Sequence, residues 1–240
     1  MTDPLTGKFA IVTGGTRGIG RAIAERLLRE GVAVALCGRS AESASRAAEE
    51  LRPLGQVFAA ACDVTSPAAV SNFFLAVDRT FAGLDILVNN AGAARFRKVA
   101  DMTPDDWRAN IDLNLNGPFF CSREALPRMI RRGAGHIVNI SSLAGKNAFT
   151  GGAGYNAAKA GLNLFAEAMM LDHRHDNIRV TNILPGSVNT DFSGHPGKRN
   201  IDNSWMIDTS DVAEIVTAVL RLPARTMVSS IEMRPSRPGK

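Results

Sequence analysis

Tyr155 is the only tyrosine among 240 residues and stands in Tyr155-Asn156-Ala157-Ala158-Lys159. Four residues apart, Tyr155 and Lys159 share one face of a helix, one turn from each other. A free phenol has a pKa of about 10 and exchanges protons poorly at neutral pH. An ammonium held beside it favours the phenolate and moves that pKa toward a working range. The pair reads as an acid–base device or, taken alone, as two ordinary helix residues. Its neighbours in the sequence decide between these.

A glycine-rich turn, Thr13-Gly14-Gly15-Thr16-Arg17-Gly18-Ile19-Gly20, lies between a predicted strand and a predicted helix. Glycines there let the backbone approach a pyrophosphate, whose charge meets the helix N-terminus. Three residues separate Gly14 from Gly18, unlike the common G-x-G-x-x-G spacing. The second strand ends Cys37-Gly38-Arg39-Ser40, with no acid to take a ribose 2′-hydroxyl. Arg39, joined by Arg17, is placed to meet a 2′-phosphate, so NADP(H) is expected in preference to NAD(H). Asp63, closing the third strand, is a candidate acceptor for an adenine amino group or a simple turn former. Asn89-Asn90-Ala91-Gly92 ends the fourth strand with small residues where a flat ring must lie close to the backbone.

The elements that must position these groups alternate along the chain. Strands are predicted at Lys8–Thr13, Val32–Cys37, Gln56–Ala61, Leu84–Val88, His136–Ile140, Ile178–Leu184 and Val228–Glu232. Helices are predicted at Ile19–Glu30, Ala41–Arg52, Pro67–Phe81, Pro104–Arg131, Tyr155–His175 and Asp211–Leu220. Ser66-Pro67 and Thr103-Pro104 supply cap-plus-proline starts, and Ser210 is the expected cap of the last helix. The order implies a single α/β domain over 1–240, a Rossmann-type doubly wound parallel sheet of about seven strands with helices on both faces. Two segments break the rhythm: a Gly/Asn/Asp/Pro-rich loop over 187–209 and a basic, proline-rich tail over 234–240.

Composition narrows the function. The formal charge is +5, but the basic residues are scattered beside acids, and aromatics make up only 6%. That argues against a nucleic-acid partner. No apolar run is long enough for a membrane span and Met1-Thr2-Asp3-Pro4 opens no signal peptide, so a cytoplasmic protein is expected. Cys37, Cys62 and Cys121 read as small core residues. The histidines are poorly arranged for a metal: His173 and His175 lie two apart on a helix, and His136 and His195 are isolated.

Taken in order, Thr13-Gly14-x-x-x-Gly18-x-Gly20, Asn89-Asn90-Ala91-Gly92, Asn114, Ser142, Tyr155-x-x-x-Lys159 and Pro185-Gly186-x-x-x-Thr190 resemble the short-chain dehydrogenase/reductase superfamily over nearly the whole chain. The likeness is to 3-oxoacyl-acyl-carrier-protein-reductase-like and general carbonyl-reductase members. It implies that Tyr155 exchanges the proton with the substrate oxygen. Lys159 would hold the nicotinamide ribose and depress the Tyr155 pKa, Ser142 would hydrogen-bond the carbonyl, and Asn114 would anchor a water in a proton relay. Ser141 alternates to the other side of the strand. The dinucleotide would touch Gly14, Thr16, Arg17, Gly18, Ile19, Gly20, Arg39, Asp63, Val64, Asn90, Ala91, Gly92, Pro185, Gly186, Val188 and Thr190. Hydride transfer would belong to the cofactor. An NAD-dependent alcohol dehydrogenase and a non-catalytic dinucleotide sensor are the competing readings.

Substrate choice is expected in the loops Ala93–Val99, Leu143–Gly154 and Ser187–Thr209, with Gly194-His195-Pro196-Gly197 suggesting a lid. Arg128, Arg131, Arg132 and Arg174 form either a basic patch for an acyl carrier protein at the site mouth or solvated helix ends. The C-terminal Ser229-Ser230-Ile231-Glu232-Met233-Arg234-Pro235 departs from the glycine-rich finish of the carrier-protein reductases. Homodimer or homotetramer assembly through the two long helices is implied, although Phe119, Leu162, Phe165 and Met169 can equally serve the core of one chain.

Overall fold

The computed structural model describes residues 4–193 and 203–237. Seven strands make one sheet: β1 (Phe9–Thr13), β2 (Ala33–Gly38), β3 (Val57–Ala61), β4 (Ile86–Asn89), β5 (Gly135–Ile140), β6 (Ile178–Pro185) and β7 (Ser230–Met233). Their order is β3-β2-β1-β4-β5-β6-β7, and every neighbouring pair is parallel. The chain moves outward from β1 to β3, then returns to β4 on the other side of β1. The carboxyl ends of β1 and β4 therefore flank the reversal, where open α/β sheets leave a crevice for ligands.

Among the described residues seven α-helices accompany the sheet: α1 (Gly18–Arg29), α2 (Ala41–Leu51), α3 (Pro67–Asp78), α4 (Pro104–Ile111), α5 (Gly117–Arg132), α6 (Ala153–His173) and α7 (Thr209–Arg221). Alternation along the strands sends successive side chains to opposite faces. Ala10 and Val12 join a core with Ile23 and Leu27 of α1, Leu51 of α2 and Val216 of α7. Phe9 and Ile11 join a second with Phe74 of α3, Met129 of α5 and Met169 of α6. Two apolar layers enclosing a near-continuously apolar strand explain why β1 is buried at every position.

Most expected elements end within three residues of the observed ones, and two differ for physical reasons. The expected helix Pro104–Arg131 is interrupted by a π-helical turn at Asp112–Asn116. Pro118 has no N–H for the carbonyl four residues back, that of Asn114, so the regular ladder fails there. The last helix is capped at Asp208 instead of Ser210. Asp208 accepts from the Ser210 N–H at 2.8 Å, and Asp211 accepts from the Asp208 N–H at 3.0 Å, a reciprocal box that starts the helix two residues early.

His136, on β5, is buried and its Nε2 meets Thr181 Oγ1 at 2.8 Å. Thr181 donates its own hydroxyl proton to the Val228 carbonyl, so it accepts from the imidazole Nε2–H. Burial above all, helped by the charges of Arg179 and Lys8, holds the imidazole down at about 3. Between that value and the unfolded one near ~6.5 the unfolded chain binds the extra proton, so stability falls as pH is lowered through this window. Urea midpoints measured from pH 7 to pH 3.5 should show this slope, and His136→Asn should lose a large part of it.

Candidate active site

The sequence-expected residues converge on the carboxyl ends of β1, β4, β5 and β6. Thr13 organises the first corner: its hydroxyl accepts from the N–H groups of Asn90 (3.0 Å) and Ala91 (3.1 Å) and donates to the Val88 carbonyl (3.3 Å). The Asn90 amide donates to the carbonyls of Thr13 (2.9 Å) and Gly14 (3.1 Å). Asn90 thereby clamps the glycine-rich turn to the end of β4. Gly14 (φ 63°) and Gly18 (φ 56°) adopt the left-handed region that glycine tolerates best.

Gly20 is required by proximity. A Cβ there would lie 2.2 Å from Asn90 Nδ2 and 2.4 Å from the Gly14 carbonyl oxygen. Gly20→Val should lower stability by about 2–3 kcal/mol through overpacking and should abolish dinucleotide binding by spreading the turn. Urea unfolding and fluorescence titration with NADPH check the two effects.

Around this turn the remaining cofactor candidates are distributed by role. Thr16 lies against Gly38, whose added Cβ would meet Thr16 Cγ2 at 2.7 Å, at the end of β2 beside exposed Arg39. Neither Arg17 nor Arg39 has an ion-pair partner among the described residues. Asp63 is exposed and one carboxylate oxygen accepts from the Thr65 N–H and hydroxyl, at 3.0 and 2.8 Å. Ile19 and Val64 turn their side chains into the two cores. From the far side, Thr190 reaches the turn, its Cγ2 3.6 Å from where a Gly18 Cβ would stand. Its loop is held by Pro185-Gly186, where the Gly186 N–H donates to the Met233 carbonyl at 2.8 Å, and by the bridge of Val188 to Ile207.

Tyr155 and Lys159 are both buried on the inner face of α6. Lys159 Nζ lies 5.7 Å from the Tyr155 ring centroid and donates to the Ile140 carbonyl at 2.8 Å. Burial lowers the Lys159 ammonium to about 7. Burial also pushes the Tyr155 phenol up to about 12, with the Ser142 hydroxyl pulling the other way. The phenol is raised, where the sequence predicts that Lys159 lowers it, because an enclosed site disfavours both charged forms. Ser142 follows β5 in extended conformation, accepts from the Ala144 N–H at 3.1 Å and donates to the Pro185 carbonyl at 3.5 Å. Ser141 instead donates to Asn163 Oδ1 at 2.6 Å, away from the phenol, as strand alternation predicts.

Asn114 stands in the π-helical turn, fully buried. Its amide donates to the Ala93 and Asn110 carbonyls at 2.8 and 2.9 Å, leaving Oδ1 without a partner. That oxygen is 3.0 Å from the position of a Gly92 Cβ, with Lys159 Nζ 3.9 Å from the same point. A buried orphan acceptor beside a buried ammonium is a seat for a bridging water or ligand group.

Several contributors escaped the sequence reading. Thr13 stands in the sequence motif without an assigned role, and Asn110, which holds the Arg95 backbone and Asn114, reads as a helix residue. Asn89, Asn139 and Asn182 form a hydrogen-bonded ladder across β4, β5 and β6, visible only once register pairs them. Two of the four arginines of the basic patch are committed to ion pairs. Arg128 is bound to Asp78 and Glu124, and Arg132 to Asp85. Asp85 precedes β4, so Arg132 sits at the amino ends of the strands, opposite the site. Gly194, His195, Pro196 and Gly197 lie outside the described residues.

Residues 8–200 match the short chain dehydrogenase family. The NADP-dependent 3-hydroxy acid dehydrogenase YdfG of Shigella flexneri is 35% identical over 236 residues, covering 95% of this chain and 94% of its own. An alcohol dehydrogenase from the archaeon Thermococcus sibiricus, complexed with 5-hydroxy-NADP, superposes with a TM-score of 0.89 at 29% identity over 97% of this chain and 99% of that one. A 7α-hydroxysteroid dehydrogenase complexed with NADH and 7-oxo glycochenodeoxycholic acid gives 0.91 at 28% identity over 98% and 96%. With a parallel seven-stranded sheet, a glycine-rich turn after β1 and a match over most of its length, this chain belongs to the short-chain dehydrogenase family, oxidoreductases of CH–OH and C=O groups.

Proposed function

We propose that the protein is an NADP(H)-dependent carbonyl reductase of small-molecule ketones, working reversibly on the secondary alcohols, with 1–240 as one dinucleotide-binding and catalytic unit. The observation that carries this reading is the meeting of Tyr155, Lys159, Ser142 and the orphaned Asn114 oxygen beside a turn whose glycines leave room for a pyrophosphate. The fit to a dinucleotide is good: Gly14, Gly18 and Gly20 leave the cradle open, α1 begins at Gly18, and Arg17 and Arg39 remain uncommitted. Thr16, Asp63, Asn90, Ala91, Gly92, Pro185, Gly186, Val188 and Thr190 complete the candidate contacts, with Ile19 and Val64 contributing backbone. Bound there, the nicotinamide supplies or accepts the hydride.

The chain's own residues do the rest. Tyr155, kept protonated by burial, donates its phenolic proton to the carbonyl oxygen during reduction. Ser142 donates a hydrogen bond to the same oxygen and steadies the developing alkoxide. Lys159 sits between the phenol and the Ile140 carbonyl and favours the phenolate left behind. Asn114 Oδ1 holds a water that returns a proton through Lys159. Asn114→Ala should reduce kcat about tenfold to a hundredfold with little change in NADPH affinity, read by steady-state kinetics and titration.

The test is NADPH oxidation against β-ketoacyl thioesters, diketones and aromatic ketones, with NADH in parallel. NADPH-dependent turnover supports the reading, and its absence across the panel overturns it. The alternative NAD-dependent dehydrogenase draws on the NADH complex of the hydroxysteroid dehydrogenase. We also infer a homo-oligomer. Leu162 and Met169 are buried within one chain, but Phe119 (42%), Leu164 (68%) and Leu171 (53%) are exposed on α5 and α6. Light scattering should give a dimer or tetramer at micromolar concentration, and Leu164→Glu should shift it toward monomer.

A further inference from the structure

Two phenylalanines from separate loops, Phe96 and Phe192, contact the Tyr155 ring, and a third, Phe149, packs on Phe96. Phe96, in the segment after β4, meets Tyr155 edge-to-face with centroids 5.9 Å apart. Phe149, in the segment after β5, stands 5.4 Å from Phe96 in a second edge-to-face contact. Phe192, after β6, lies 5.7 Å from Tyr155 at a 57° tilt. The contacts run as one chain, Phe149–Phe96–Tyr155–Phe192, drawing three of the 11 phenylalanines to the neighbourhood of the only phenol.

Two of these rings are costly to leave where they are. Phe149 is 45% exposed and Phe192 38% exposed, though each stands within one ring contact of the site. Both are held in place. The Arg97 N–H donates to the Gly151 carbonyl at 2.9 Å, strapping the Phe96 segment to the Phe149 segment. The Phe149 ring lies on Gly152, where an added Cβ would stand 2.7 Å from Cζ. The Phe192 N–H donates to Thr190 Oγ1 at 3.4 Å, tying that ring to the loop nearest the glycine-rich turn.

The chemistry of the collar is one-sided. Among the described residues the buried ionisable side chains are Lys159, His136, the Tyr155 phenol and the thiols of Cys37, Cys62 and Cys121; His136 is spent on Thr181 inside the sheet and the three thiols lie in the core away from the collar. No carboxylate or guanidinium is buried at the collar among the described residues; the charged groups on its loops, Arg97 with its guanidinium donating to the Phe96 carbonyl at 3.0 Å and Asp191 beside Phe192, are exposed. What it offers is ring faces and edges, which recognise another flat apolar group by offset or edge-to-face contact and by burial of its area.

We propose that Phe96, Phe149 and Phe192 are the specificity-determining residues of the site and assign its substrates to ketones carrying an aryl or similarly flat apolar group next to the reacting carbonyl, a specificity that presupposes the reductase reading. The carbonyl oxygen goes to Tyr155 and Ser142 while the substituent fills the collar.

The test compares 1-phenyl-1,2-propanedione with 2,3-butanedione, which share the reacting diketone and differ by phenyl against methyl. NADPH oxidation should give a kcat/KM at least about tenfold higher for the phenyl compound. Phe149→Ala and Phe192→Ala should remove most of that ratio by lowering the phenyl value, with the methyl value nearly unchanged. Both side chains are half-exposed, and Phe149→Leu and Phe192→Leu, with circular dichroism, separate loss of a ring from loss of fold. In parallel, saturation-transfer NMR of 1-phenyl-1,2-propanedione with the protein and NADP+ should saturate the phenyl protons most strongly, and the double alanine variant should lose the effect.

Turnover of both diketones without preference, or a preference untouched by the variants, overturns the assignment and leaves the reductase reading standing. If neither diketone turns over, the reductase reading fails for these compounds. Phenyl saturation that depends on Phe149 and Phe192 then still supports the collar as an aryl site, and absence of saturation overturns it.

Discussion

Tyr155→Phe is expected to lower kcat for ketone reduction by about a thousandfold while leaving NADPH affinity within about twofold. The substitution removes one oxygen. The ring keeps its edge-to-face partner Phe96 and its tilted partner Phe192, so the helix face and the collar survive. What disappears is the only phenol in the chain, positioned at Ser142 and Lys159. Stopped-flow oxidation of NADPH and fluorescence titration measure the two quantities separately. A variant retaining more than about a tenth of the activity would transfer the proton donor's role elsewhere.

The pH dependence follows from the same geometry. Burial holds Lys159 at about 7 and Tyr155 at about 12 in the protein without ligands. Across the ordinary range the phenol stays protonated and Lys159 is the group that changes charge. Its ammonium is present below about pH 7 and lost above. The free-enzyme parameter kcat/KM for reduction should therefore be highest on the acid side and fall as pH rises through that value. Lys159→Arg, which keeps its charge throughout, should flatten this limb of the profile even if the absolute rate is lower.

Removing both Arg17 and Arg39 should raise KM for NADPH about a hundredfold and change KM for NADH by less than about threefold. Both guanidinium groups are exposed, flank the open cradle at the ends of β1 and β2, and have no ion-pair partner among the described residues. Each charge-assisted contact with a 2′-phosphate is worth about 1.5–3 kcal/mol, so two together exceed the factor required. NADH lacks that phosphate and loses only long-range attraction. Equal losses with both cofactors would show that the arginines serve the pyrophosphate or the fold, and the NAD-dependent reading would gain.

The sequence by itself determined the doubly wound class, because alternating short apolar strands and capped helices allow few other arrangements. It also determined which residues to gather. Tyr155 and Lys159 share a helix face by spacing alone, and Gly14, Gly18 and Gly20 announce a backbone turn that side chains would block. Ser142 was separable from Ser141 because strands alternate. These are local properties, fixed within a few residues of chain.

Tertiary structure decided what depends on distant partners. The π-helical turn at Asp112–Asn116 aims Asn114 at Gly92 and Ala93, some twenty residues away in sequence. The sign of the Tyr155 shift is set by how completely neighbouring elements exclude water, which outweighs the hydrogen bond from Ser142. Arg128 and Arg132 look free in the sequence, but packing of α5 delivers them to Asp78 and Asp85 at the wrong end of the sheet for the site. The ring of phenylalanines belongs here too: three loops, each unremarkable alone, become one surface only when β4, β5 and β6 lie side by side and bring their carboxyl ends together.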